Sequence, residues 1–177
     1  MQRKPSAKLQ ITLPSDTEIK FTREFDAPPE LVWEAMTKPE YVVRWWNCME
    51  GYDMPVCEID LRVGGKWRYL IVDQRGKEVG FHGEYREIVP PRRLVNTETF
   101  DPFPANETVI SYAFEAAGQK TLLTALQQCG TKETRDAIIE SGMEVGAALA
   151  YDLLEEVARG LANAAAASGS RDRAMTA

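Results

Sequence analysis

The chain is poor in the residues that build metal sites, disulfide frameworks and polyanion-binding surfaces. Its 177 residues include three cysteines, Cys48, Cys57 and Cys129, and one histidine, His82. An odd cysteine count leaves a thiol outside any pairing, and the C-x2-C spacing of many zinc sites does not occur. Small buried hydrophobes are the expected role of these cysteines, and neither a structural metal nor a cofactor is expected. No run of 18 apolar residues is present, and the opening MQRKPSAKLQITLPSD lacks the apolar core of a secretion signal. The expectation is a cytoplasmic protein without membrane insertion. Positive charge is also short: 21 Lys and Arg face 27 Asp and Glu, a net charge of −6, which argues against nucleic acid as a partner.

What is present suits one domain. A hydrophobic content of 44% with 27% charged residues supports a sizeable core. Residues 1–8 are polar and basic and are expected to be a flexible tail. Residues 163–177, NAAAASGSRDRAMTA, lose apolar periodicity and are expected to be a disordered tail. The domain is thus expected over 9–162.

Within it, LQITL and TEIKFTREF read as extended segments split by the turn-like PSD. DAPPELVWEAM opens a helix: Asp26 is placed to cap it, Pro28 and Pro29 suit its first turn, and Leu31, Val32, Ala35 and Met36 form an apolar face. TKPEYVVRWW reads as a second short helix. Six strand-length segments follow, CEIDLR, KWRYLIVD, GFHGEYREI, RLVNTETF, ETVISYAFEA and KTLLTALQQC, which implies an antiparallel sheet. In GFHGEYREI, Phe81, Gly83 and Tyr85 fall on one face, and His82, Glu84 and Arg86 on a solvated one. From 132 to 162, Ile139, Met143, Gly146, Ala150, Leu153, Leu154 and Val157 recur at helical steps, predicting one long helix on the sheet. Its small residues Gly142, Gly146, Ala147, Ala148 and Ala150 fit either close packing or empty space beneath. The adjacent Trp45 and Trp46 suggest the lip of a hollow or a hinge between surface and core.

The segments FTREFDAPPELVWEAMTKPEYVVRWW, IDLRVGGKWRYLIVDQRG, GEYREIVPPRRLVNTE and ESGMEVGAALAYDLL, in that order, resemble the family of homologues of the activator of heat-shock-protein-90 ATPase. That AHSA-like family lies in the START-like superfamily, also called SRPBCC or Bet v 1-like. The resemblance implies an α+β helix-grip fold: a curved antiparallel sheet of about seven strands wrapped on a long C-terminal helix, with two short helices after the first strand. It also implies an apolar cavity between sheet and helix, with Trp45 and Trp46 closing one end. From the sheet, Trp67, Tyr69, Ile71, Phe81 and Tyr85 are the expected ligand contacts. From the helix they are Met143, Gly146, Ala147, Ala150 and Tyr151, with methionine suited to an adaptable wall.

Motifs of catalysis are weak. VGGKW is too short for a phosphate loop and reads as a turn, and ESGMEVG lacks the spacing of a nucleophile elbow around Ser141. His82 sits on the face assigned to solvent, with no nucleophile at a recognisable spacing. No catalytic residue is therefore assigned, although Glu98 and Asp152 are the carboxylates nearest to an acid–base role. The preferred expectation is binding of a small hydrophobic molecule. Alternatives are a polyketide-cyclase-like or hydrolase-like enzyme using the same cavity, and a chaperone regulator acting through its outer surface, as the family name and its link to stress response imply. A homodimer is implied only by the habits of the superfamily.

Overall fold

The computed structural model describes residue 6, residues 8–48 and residues 50–175, with side chains as far as residue 167. Strands β1 (Gln10–Thr12) and β2 (Glu18–Phe25) are followed by helices α1 (Pro29–Thr37) and α2 (Pro39–Val42). Six more strands come next: β3 (Tyr52–Ile59), β4 (Lys66–Asp73), β5 (Glu78–Val89), β6 (Arg93–Phe100), β7 (Thr108–Ala117) and β8 (Lys120–Gln128). Helices α3 (Lys132–Glu140) and α4 (Met143–Met175) close the chain. The strands form one antiparallel sheet of eight, in the order β1-β2-β8-β7-β6-β5-β4-β3. Short β1 makes the eighth strand beyond the seven expected.

Local chemistry explains the boundaries and several departures from expectation. Asp26 does not cap α1. Pro28 occupies the cap position, and the Asp26 carboxylate lies 3.0 Å from Lys120 instead. Lys38 is extended ahead of Pro39, as a residue before proline favours, so α1 ends and α2 restarts for only four residues. Strand β3 begins earlier than CEIDLR because Pro55 is tolerated there: β3 is the sheet edge, and its register shifts between Asp53 and Val56.

The single long helix expected over 132–162 is two helices. Thr131 caps α3 by accepting a hydrogen bond from the Thr134 N–H at 3.1 Å. Gly142, at φ 76°, takes the left-handed conformation that ends α3 and redirects the chain into α4. At the other end, the helical backbone continues through the segment expected to be a loose tail, as far as Met175. The run of alanines from Ala164 to Ala167 favours helix at the start of that extension. Of the expected N-terminal tail, residues 1–5 and 7 lie outside the described residues, while the Ser6 N–H donates to Asp152 at 2.6 Å.

One cluster of buried residues joins Val32, Trp33, Ala35 and Met36 of α1 to Leu154, Val157 and Ala158 of α4, and both to the concave face of the sheet through Phe25, Phe114 and Leu123. A second gathers Ile19, Phe21, Ile110 and Ala125, covered by Ile138 and Ile139 of α3 and by Met143. Buried Arg23 fastens β2 to α4. Its guanidinium meets Asp152 at 2.6 Å and Glu155 at 3.8 Å, and the Asp26 N–H donates to Glu155 at 3.1 Å. Burial pushes the Asp152 carboxyl up, but hydrogen bonds from Ser6 and Arg23 outweigh it and hold the group below its ordinary value. Asp152 is thus part of this anchor and not a free carboxylate of a site.

Candidate functional site

Strand alternation sends one set of side chains from each strand to the concave face. Register lines these up: Trp67 opposite Gly83, Tyr69 opposite Phe81, Tyr85 opposite Asn96, Leu94 opposite Tyr112, and Glu98 opposite Thr108. Gly83 is required here. A Cβ at that position would lie 1.9 Å from the Thr97 carbonyl oxygen and 2.6 Å from Trp67 Nε1. Its absence lets the Trp67 indole cross β5 and donate to that carbonyl at 3.2 Å.

Two cavities open on this face. An inner recess of about 30 Å3 is lined by Met36, Trp45, Trp46, Trp67, Tyr69, Tyr85, Leu94, Asn96, Glu98 and Tyr112. An outer chamber of about 510 Å3 lies beneath α3. Phe81, Glu98, Phe100, Thr108 and Gln127 line its sheet side; Phe103 and Asn106 come from the loop after β6; and Thr134, Ala137, Ile138, Ser141 and Met143 come from α3 and the start of α4. Phe103, 62% exposed, stands at its rim. Glu98 lines both cavities.

The two tryptophans divide the work. Trp45 is buried, and its indole N–H donates to the Ala35 carbonyl at 2.8 Å, which pins the chain after α2 to α1. Trp46 is half-buried and turns into the cavity, with ring centroids 4.9 Å from Tyr69, 5.8 Å from Phe81 and 6.4 Å from Trp67.

Of the residues expected to contact a ligand, Trp45, Trp46, Trp67, Tyr69 and Tyr85 meet in the recess, and Phe81 and Met143 line the chamber. Ile71, Gly146, Ala147, Ala150 and Tyr151 line neither. Ile71 is buried farther along β4, Ala150 and Tyr151 pack on the main core, and Ala147 packs on the second cluster. A Cβ on Gly146 would meet nothing within 4 Å, so close packing does not account for that glycine. The break at Gly142 puts α3 over the chamber, whereas Gly146, Ala147, Ala150 and Tyr151 lie farther along α4.

Sequence reasoning passed over Tyr112, Leu94, Asn96, Phe100 and Phe103, and left Glu98 undecided. Glu98 is now the one carboxylate of the cavity, since no other Asp or Glu lines either part. Burial alone pushes its carboxyl up to about 7, without an offsetting hydrogen bond or cation. Glu98 is half-buried and lines both cavities. The surrounding Tyr69, Tyr112 and Tyr151 hydroxyls are raised well above the ordinary value, chiefly by burial and further by the nearby Glu98 charge. At neutral pH the site therefore presents neutral phenols and one carboxyl poised between its two protonation states. Such a group gives or takes a proton readily, or pairs with a cation.

Outside the cavity, His82 is on the solvated face, with Nδ1 2.8 Å from Asp101, which also pairs with Arg68 at 2.6 Å. Ser141 ends α3 and donates its hydroxyl to the Ile138 carbonyl at 2.6 Å. Among the described residues no group of three His, Cys, Asp or Glu side chains is arranged to hold a metal ion. Among the described residues no helix is long and apolar enough to cross a membrane.

Comparison with known proteins agrees with this architecture. Residues 26–159 match the family model described as Activator of Hsp90 ATPase homolog 1-like protein. A crystal structure of a protein from Rhodobacter sphaeroides is similar at 29% identity and a TM-score of 0.81, over 86% of this chain and 99% of that one. CalU16 from Micromonospora echinospora is similar at 25% identity and a TM-score of 0.62, over 88% of this chain and 86% of that one. An AHSA1-like protein from Aeromonas hydrophila, at 19% identity and a TM-score of 0.61 over 81% of this chain and 94% of that one, shows the fold alone. Among curated proteins none matches.

Proposed function

The chain belongs to the Activator of Hsp90 ATPase homolog 1-like family, within the START-like superfamily, and from that premise we propose that it binds a small, largely hydrophobic molecule between the sheet and the helices that close it. One observation carries the reading: a chamber of about 510 Å3, with Phe81, Phe100, Phe103, Ile138 and Met143 among its walls, inside a domain of this size. Cavities of that volume, mostly apolar with a few convergent polar groups, are typical of sites for small organic molecules. Thr108 and Gln127, bonded to each other at 3.0 Å, and Glu98 are the polar groups here. The reading is tested with an environment-sensitive apolar dye. Saturable binding that is weakened by Ile138→Trp, which narrows the chamber while the fold is retained, supports it. Binding whose affinity is unchanged by the narrowing contradicts it.

A second reading, acid–base chemistry on a bound molecule, is favoured by Glu98. A carboxyl held near 7 within a pocket is suited to general catalysis. It requires turnover of an apolar ester or β-dicarbonyl compound with a rate that titrates near pH 7 and vanishes in Glu98→Gln. Binding without turnover across such a panel leaves the first reading in place.

A further inference from the structure

The lining of the recess is suited to a cation. Three indoles and three phenols surround it: Trp45, Trp46, Trp67, Tyr69, Tyr85 and Tyr112. Indole and phenol faces carry negative electrostatic potential and attract ammonium groups. The rings are mutually braced, with Trp67 and Tyr69 centroids 4.7 Å apart, and Trp45 and Trp46 5.6 Å apart. A braced cage has little freedom to lose when a guest enters.

Glu98 supplies the opposite charge, and no Lys or Arg among the described residues lines either cavity to compete for it. Buried Arg23 on β2 is already bound to Asp152 and Glu155. The recess, about 30 Å3, has room for a water-sized group. The chamber, which Glu98 also lines, has room for a hydrocarbon body. An anionic head would place a second negative charge against Glu98, and a neutral head would leave the carboxylate uncompensated in an apolar enclosure.

We propose that the ligand is an apolar amine whose protonated nitrogen seats beside Glu98 in the aromatic recess while its hydrocarbon part fills the outer chamber. This rests on the reading of the cavity as a binding site. It adds a pH signature. Around Glu98 the titratable groups are Tyr69 on β4, Tyr85 on β5, Tyr112 on β7 and Tyr151 on α4, all raised by burial, so they remain neutral between pH 6 and 8. Cys57 beside Tyr69 and Tyr85 is pushed up to about 11 by burial and also stays neutral. His82 lies with Asp101 on the other face. Of the groups that line the cavity, Glu98 is the one that changes charge in that window, so amine affinity rises with pH as it ionises.

The test compares n-octylamine, 1-octanol and octanoate on the full chain by calorimetry at pH 6 and pH 8. At pH 8 octylamine is expected to bind about tenfold or more tightly than octanol, as a desolvated charge pair with cation–π contacts provides. Octanoate is expected to bind weakest. Octylamine affinity falls toward pH 6, and in Glu98→Gln it drops to that of octanol. The pH comparison needs no variant, so it stands even if Glu98→Gln folds poorly. Octanol binding as well as octylamine, at a pH-independent ratio, overturns the amine proposal and leaves the apolar-binding reading intact. Failure of all three probes to bind overturns both.

Discussion

Glu98→Gln should stabilise the folded protein, and only above a certain pH. Burial raises the carboxyl from an ordinary 4.5 to about 7, so the folded state holds its proton over a range in which the unfolded chain has released it. The sign follows from proton linkage. Where the folded state binds more protons, stability falls as pH rises, here from about 4.5 to 7, and the loss is complete above 7. With about 1.4 kcal/mol for each tenfold change in proton affinity, the full loss is roughly 3 kcal/mol, an upper bound because water reaching the cavity reduces it. Glutamine keeps the shape and cannot ionise, so the variant escapes this cost. Urea unfolding of wild type and variant at pH 5 and pH 8 measures it, and other titrating groups cancel in the difference. The gap in favour of Glu98→Gln should be under about 1 kcal/mol at pH 5 and roughly 2–3 kcal/mol at pH 8. A gap that stays constant across this range would refute the enclosed, unpaired state of Glu98.

Other substitutions test the frame around the site. Gly83→Ala forces a methyl against the Thr97 carbonyl and the Trp67 indole, and should cost roughly 2–4 kcal/mol in chemical denaturation with a shift in Trp fluorescence. Gly146→Ala places a methyl in open space within α4, and should add about 0.5–1 kcal/mol without altering dye binding. Arg23→Met leaves Asp152 and Glu155 facing each other without their cation, and should cost roughly 3 kcal/mol at pH 7. Part of that cost returns on acidification, because protonating Asp152 removes the repulsion.

The sheet was largely readable because its strands alternate. Trp67 and Tyr69 in KWRYLIVD and Phe81 and Tyr85 in GFHGEYREI share faces by period alone, and antiparallel pairing brings them together. Strand β6 gave no such signal. It lies inside the sheet, and both alternate sets are enclosed: Leu94 and Asn96 on one side, Val95, Thr97 and Thr99 on the other. Its contribution to the cavity, Glu98 above all, was therefore not separable from a solvated strand. The helix break was hidden for a different reason. Ile139 and Met143 keep a four-residue step across Gly142, so the apolar stripe runs on although the backbone turns, and the chamber beneath α3 was not foreseen. Phe103 belongs to a loop, where no period exists to be read. That Trp45, which lines the recess beside Trp46, also anchors the chain depends on a hydrogen bond to Ala35 that neighbouring residues in sequence do not foretell.

Native mass spectrometry of the protein as purified, followed by denaturation and identification of what is released, tests the central claim most directly. A stoichiometric apolar molecule released from the wild type and depleted in Ile138→Trp is the expected result. A wild-type protein that arrives empty, and that takes up no apolar dye or amine when offered one in excess, would contradict the claim that the cavity is a binding site.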